Sequence, residues 1–220
     1  MIEQELTRPL IAHDPEIADV IGELATIIES STRRVWVVGV TAAGKSTFAA
    51  ELATLLGGPH VELDSLYWLP NWGVRDSDDF VARLAAKLDG PAWVVDGQYP
   101  IAVDAFLDRA TCVVSLEPPL ATTLWRLTRR TFRRLVTGAP ICGDNRESVR
   151  STFGPSSILL FAVRHHRSQR RSNAALLRRA KASGAVLIRS RWAKPAKLAV
   201  LVAERLTPAP ARSPGTIEGA

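Results

Sequence analysis

Cysteine is nearly missing from this chain: Cys112 and Cys142 are the only two in 220 residues. Two thiols cannot make a disulfide scaffold, and their positions give no metal-ligand spacing, so both read as free thiols. No apolar run reaches 18 residues, which argues against a membrane-spanning helix. Met1 is not followed by the basic and apolar regions of a secretory signal, and the expectation is a cytoplasmic chain without a membrane partner. No internal repeat is visible. Acidic side chains are scarce in one half: residues 126–197 hold 18 of the 28 Lys and Arg but only Asp144 and Glu147. That half therefore carries a local +16 and leaves −10 for the remainder of a chain whose net charge is +6. Such a segment can close on a polyphosphate, bind nucleic acid or form a solvated face.

What is present is a phosphate-binding pattern. Gly39-Val40-Thr41-Ala42-Ala43-Gly44-Lys45-Ser46, followed by Thr47, matches a P-loop. The β-branched and aromatic run 33–38 precedes it, and Phe48, Leu52, Leu55 and Leu56 follow at helical spacing, so the motif lies between a strand and a helix N-terminus. Glycines at both ends let the backbone fold tightly enough for successive N–H groups to point at phosphate oxygens. The residues Gly39, Thr41, Ala42, Ala43, Gly44, Lys45, Ser46 and Thr47 are thus candidates for holding a nucleotide. Lys45 supplies a mobile charge for the β- and γ-phosphates, and the Ser46 hydroxyl is a candidate Mg²⁺ ligand.

Around this motif the pattern alternates strand and helix. Asp14-Pro15-Glu16 starts a helix whose apolar face runs from Ile17 to Ile28. Strand candidates are 33–38, 60–64, 91–97, 110–117 and 184–189, with helices over 46–56, 76–88, 101–107, 120–136, 158–180 and 196–206 between or after them. This gives an α/β chain with a five-stranded parallel sheet flanked by helices. Residues 1–32 form an N-terminal extension, 33–206 one domain with a flap over about 137–157, and 207–220 a disordered Pro- and Ala-rich tail. Asp64 and Asp96 end two strands on the side where ligands bind in such sheets. Asp96 either holds Mg²⁺ with Ser46 or caps the next helix. Tyr67, Trp68 and Trp72 form a substrate platform, or else fill a small satellite core. Gln98 and Tyr99 follow Asp96 into the crevice, and Arg189, ending the fifth strand, is counted with the nucleotide ligands. Arg126 and Arg130 are four apart on one helix and share a face, which suits two guanidinium groups on one set of phosphates. His165 and His166 are adjacent, so a helix cannot turn both to one metal.

These residues together resemble the adenylate-kinase-like P-loop proteins of the DNA topology modulation or FlaR-related group. The resemblance rests on Gly39–Thr47, Leu63-Asp64-Ser65-Leu66-Tyr67-Trp68, Asp96-Gly97-Gln98-Tyr99, Arg129-Arg130-Thr131 and Gly143-Asp144-Asn145-Arg146-Glu147. It implies the P-loop NTPase three-layer fold with an acceptor-binding arm and a basic lid, ATP and Mg²⁺, and phosphoryl transfer. By position, Asp64 resembles an acceptor-binding carboxylate and Asp96 the Asp of the family's Asp-Gly-Phe-Pro-Arg stretch. Arg126 and Arg130 resemble its arginine pair, and Arg146 a lid arginine closing over the transferring group. One departure is informative. Gln98, Tyr99, Pro100 and Ile101 replace the stretch that carries the family's phosphate-binding Arg, and the acceptor arm offers only Arg75 and Arg83. The resemblance therefore points to an uncharged hydroxyl acceptor and away from a monophosphate. Nucleotide-controlled nucleic-acid binding through Arg133, Arg134, Arg170 and Arg171, and simple ATP hydrolysis, are the alternatives.

Overall fold

A computed structural model describes residues 33–137, 145, 157–191, 198–200, 202 and 203. The expected N-terminal helix, Cys142, Arg146 and the tail lie outside these residues, as does most of the expected flap. The described chain runs β1 (Arg33–Gly39), α1 (Lys45–Leu56), β2 (His60–Glu62), α2 (Leu63–Tyr67), α3 (Ser77–Lys87), β3 (Ala92–Asp96), α4 (Pro100–Phe106), β4 (Cys112–Leu116), α5 (Leu120–Thr137), α6 (Ile158–Ala182) and β5 (Val186–Ser190). The five strands form one sheet in the order β2-β3-β1-β4-β5, parallel throughout. This is the expected α/β architecture, with β1 at its centre.

A parallel sheet covered on both faces buries nearly every strand residue, which explains the continuous apolar runs in place of alternation. Along β1, Val35 and Val37 face α1 and the helical residues Leu198, Ala199, Val202 and Ala203, while Trp36 and Val38 face the layer of α3, α4 and α6. Trp36 and Trp93 meet edge to face at 6.4 Å in that second layer. The helix ends follow sequence signals. Asp76 caps α3 by accepting from the N–H groups of Asp78 and Asp79, and Phe80, Leu84 and Leu88 are buried as their spacing requires. Gly57 ends α1 in the left-handed conformation that suits glycine.

Two elements differ from expectation. Strand β2 stops at Glu62, so Asp64 belongs to the first turn of the short helix α2 and does not end a strand. Leu63 is the reason: its side chain turns into the core under Gly97, and the chain winds into a helical turn immediately after the strand. The aromatic stretch after it is also more regular than its composition suggests. Tyr67 closes α2, and Pro70–Trp72 makes a single 3₁₀ turn in which Asn71 and Trp72 have φ of 58° and 59°.

Candidate functional site

All strands point the same way, so the loops after β1, β2 and β3 gather at one edge of the sheet. They open a cleft of about 1440 Å³. Its floor is the P-loop: Gly39, Thr41 to Thr47, with Lys45 and Ser46 already in α1. Gly39 (φ 158°) and Gly44 (φ 95°) take backbone conformations that side chains disfavour, and a Cβ on Gly39 would lie 2.5 Å from the Leu116 carbonyl oxygen. The glycines are therefore required by geometry, as the motif implied. No side chain caps α1 and no acid occupies its first turn. Its N-terminal N–H groups and the positive end of its dipole are left facing the cleft, an arrangement suited to an anion.

Lys45 lies across this floor. Its ammonium donates to the carbonyl oxygens of Gly39 and Val40, each at 3.2 Å. Burial pushes its pKa down; Asp96 and Asp64 oppose that shift, Arg130 reinforces it, and Glu62 opposes it more weakly. The three carboxylates enter from neighbouring chain segments. Asp96, buried at the end of β3, sits beside Glu62 in the β2–β3 register. Its Oδ2 is 3.1 Å from Nε2 of His60, and because a carboxylate only accepts, the imidazole donates. Asp64 is exposed to the cleft, where its Oδ1 accepts from the Tyr99 hydroxyl at 2.7 Å.

The basic wall comes from α5. Arg126, Arg130 and Arg134 are spaced by four and all line the cleft. Arg126 donates to the Ala43 carbonyl oxygen at 2.7 Å, and burial lowers its pKa. From α6, Ile158, Phe161 and Gln169 complete the lining.

The expected site residues divide as follows. Gly39, Thr41, Ala42, Ala43, Gly44, Lys45, Ser46, Thr47, Asp64, Trp68, Asp96, Gln98, Tyr99, Arg126 and Arg130 all line one cleft. Tyr67 does not. It packs against Phe80 at 5.8 Å and Tyr99 at 4.3 Å, as part of a small aromatic core that supports the cleft from behind. Trp72 is half exposed, edge-on to Trp68 at 5.6 Å, and outside the lining. Arg189 is also turned elsewhere: it donates to both oxygens of Glu117, which Arg170 and Ser115 contact as well. Arg146 lies outside the described residues.

Glu62, Arg134 and Gln169 also line the cleft, and His60 contacts one of its carboxylates. Glu62 ends β2 with Oε1 3.4 Å from the Ser46 hydroxyl and Oε2 accepting from Ser65 at 2.7 Å. A strand read through to Asp64 hid it. Arg134 had a signal, its spacing from Arg130, but was grouped with a possible nucleic-acid face. His60 and Gln169 carry no sequence signal, because what places them is the pairing of strands and the phase of a distant helix. Among the described residues no group of three or more His, Cys, Asp or Glu has metal-site geometry. Of the cleft carboxylates Glu62, Asp64 and Asp96, Glu62 contacts the Ser46 hydroxyl. Oxygen donors of this kind suit a hard cation that keeps water ligands, and so fit Mg²⁺. No helix among the described residues is long and apolar enough to cross a membrane.

No protein-family model matches this chain, and no curated protein matches it. Solved structures do. The chain is similar to a shikimate kinase from Acinetobacter baumannii in complex with shikimate, with 17% identity over 81% of this chain and 94% of that one and a TM-score of 0.46. It is also similar to a sugar kinase from Janibacter sp. (18% identity, 80% and 94% covered, TM-score 0.41) and a gluconokinase from Sinorhizobium meliloti (19% identity, 70% and 96% covered, TM-score 0.34).

Proposed function

We propose that this chain is an ATP-dependent phosphotransferase that moves the γ-phosphoryl group to a hydroxyl of a small acceptor. The observation that carries this reading is the joining of two subsites in one cleft. The phosphate cradle with Lys45 and the hydrogen-bonded Asp64–Tyr99 pair, together with Trp68, line the same cleft. The volume exceeds the roughly 300–1,000 Å³ of most small-molecule pockets, so there is room for a nucleotide and an acceptor together.

The P-loop N–H groups and Lys45 hold the β- and γ-phosphates, and Arg126, Arg130 and Arg134 supply positive charge as it builds on the phosphoryl oxygens. Ser46, Glu62 and Asp96 are the residues that would hold Mg²⁺, which would supply positive charge against the phosphates when bound. Asp64, fixed by Tyr99, orients the acceptor hydroxyl and takes its proton. The new bond forms between that oxygen and γ-phosphorus, while the bond from γ-phosphorus to the β–γ bridging oxygen breaks.

An uncharged acceptor is favoured by where the arm's cations go. Arg75 donates to the Leu66 carbonyl oxygen and to Asp79, and Arg83 also pairs with Asp79. Neither lines the cleft. A monophosphate would find no fixed cation on the acceptor side among the described residues. The nucleic-acid alternative loses support for a related reason: Arg134 lines the cleft and Arg170 pairs with Glu117.

The test is a screen of sugars, nucleosides and other hydroxyl compounds with γ-labelled ATP, using Lys45→Ala as blank. Label transfer to one class, absent in the blank, supports the proposal. Phosphate release with no labelled product would instead indicate an ATPase, and salt-sensitive nucleic-acid binding without either would favour the binder.

A further inference from the structure

Gln169 projects from α6 onto the rim of the P-loop. Its Oε1 accepts from the Thr41 backbone N–H at 3.2 Å, and its Nε2 donates to the Thr41 hydroxyl at 3.0 Å. Residues separated by 128 positions are joined here, and the bond holds a side chain of the basic half directly against the phosphate cradle.

The position along the loop matters. A phosphate-binding loop has two ends: the helix N-terminus, from Gly44 onward, and the strand exit at Gly39. Lys45 reaches back to the strand exit, bonding the Gly39 and Val40 carbonyl oxygens. Since the P-loop lysine serves the β- and γ-phosphates, the strand exit is the γ end. Gln98 also reaches that end, accepting from the Gly39 N–H at 3.4 Å. Gln169, bonded to Thr41, thus lies beside the strand-exit residues that Lys45 and Gln98 bond, and not at the helix end of the loop.

We propose that Gln169 recognises the γ-phosphoryl group: its carboxamide leaves Thr41 and donates Nε2–H to a γ-oxygen, so that α6 responds to a triphosphate and not to a diphosphate. This rests on the nucleotide reading of the cleft. A carboxamide suits the task because it adds no charge, accepts from the loop when no γ-phosphate is bound and donates when one is. Arginine at this place would grip diphosphate and triphosphate alike.

The test measures binding of ADP and of a β,γ-imido ATP analogue, each with Mg²⁺, to the full chain by calorimetry. Gln169→Glu is the informative variant. It keeps the length and the bond to the Thr41 N–H, so the loop stays supported, but a carboxylate cannot donate and repels phosphate. Gln169→Ala removes both bonds. The expected result is a loss of about tenfold or more in triphosphate affinity for both variants, with ADP affinity changed less than about twofold in Gln169→Ala, a hydrogen bond to a charged group being worth that much. Equal losses for ADP and the analogue in both variants would make Gln169 a brace for the loop and overturn the proposal, as would unchanged binding of both. Lys45→Ala separates the two levels. If it binds both nucleotides as the wild type does, the nucleotide reading falls; if it loses both while Gln169→Glu matches the wild type, only the γ-recognition falls.

Discussion

The His60 imidazole donates from Nε2 to Oδ2 of Asp96 across 3.1 Å, joining the first residue of the edge strand β2 to the last residue of β3. Asp96 is buried, and a buried carboxylate is held in one orientation only if its oxygens have partners. The bond fixes one oxygen and so aims the other. Outer partners of this kind commonly change metal affinity by about 10- to 100-fold when removed. His60→Ala should therefore raise the Mg²⁺ concentration needed for nucleotide-induced thermal stabilisation by about tenfold. His60→Gln, whose amide can donate from nearly the same place, should recover part of it. A Mg²⁺ titration identical in all three proteins would count against Asp96 as a Mg²⁺ ligand.

Lys45 makes a pH-dependent prediction with two signs. Its folded pKa is depressed, chiefly by burial, so the folded chain gives up the proton at a lower pH than the unfolded chain. Its contribution to stability is present above the unfolded lysine pKa and is lost as pH falls through the folded value. In nucleotide-free protein, the melting temperature of wild type relative to Lys45→Met should thus rise as pH increases toward the ordinary lysine range. Nucleotide affinity should move the other way, because binding needs the ammonium. It should fall by about tenfold per pH unit above the lowered pKa, consistent with one coupled proton. Melting curves and nucleotide titrations across pH 7 to 10 check both, and parallel curves for wild type and Lys45→Met would contradict the shift.

These effects mark where sequence reading succeeds and where it stops. Lys45, Ser46 and the glycines at 39 and 44 were legible because a P-loop is local: strand, loop and helix start lie within fifteen residues, and each has its own signature. Five strands and the helix phase that joins Arg126 to Arg130 were legible for the same reason. Asp64 was placed in the right cleft but on the wrong element, since nothing local distinguishes a strand that ends at Glu62 from one that ends two residues later. Tyr67, Trp72 and Arg189 fall outside the cleft lining for a different reason. An aromatic ring or a guanidinium near a site is drawn either to the ligand or to a neighbour, and Phe80, Trp68 and Glu117 are neighbours only in three dimensions.

Glu117 predicts an acid limb of stability. Burial alone would raise its pKa, but the charge and hydrogen bond of Arg189, with bonds from Ser115 and Arg170, hold it below the ordinary glutamate range. A carboxylate with a depressed folded pKa stabilises above its unfolded pKa of about 4.3, and that contribution is lost as pH falls through the folded value. The melting temperature of wild type should drop below about pH 4.3 more steeply than that of Glu117→Gln, which has no proton to take up. At neutral pH Glu117→Gln should be the less stable protein. The same slope in both would show that the network does not act through this carboxylate.

Asn145 closes the turn at residues 69–73, and that turn is strained. Asn71 and Trp72 both have positive φ, and for a side chain as bulky as tryptophan the conformation is rare. Such backbone persists only where its surroundings hold it, at a cost of about 1–3 kcal/mol per residue. Asn145 does the holding: it is buried, its Oδ1 accepts from the Trp72 N–H at 2.8 Å, and its Nδ2 donates to the Leu69 carbonyl oxygen at 3.0 Å. A side chain from the stretch read as a flap thus fixes the turn that follows Trp68, a residue of the cleft lining. Asn145→Ala would leave both backbone groups without this partner, costing about 1–3 kcal/mol and lowering the melting temperature by roughly 2–4 °C per kcal/mol. Asn145→Asp keeps the oxygen that accepts from Trp72 but loses the donor to Leu69. Amide exchange measured by NMR should therefore speed up at Trp72 by about tenfold or more in Asn145→Ala and stay close to wild type in Asn145→Asp. Equal protection of that amide in all three proteins would mean that the turn keeps its shape without Asn145.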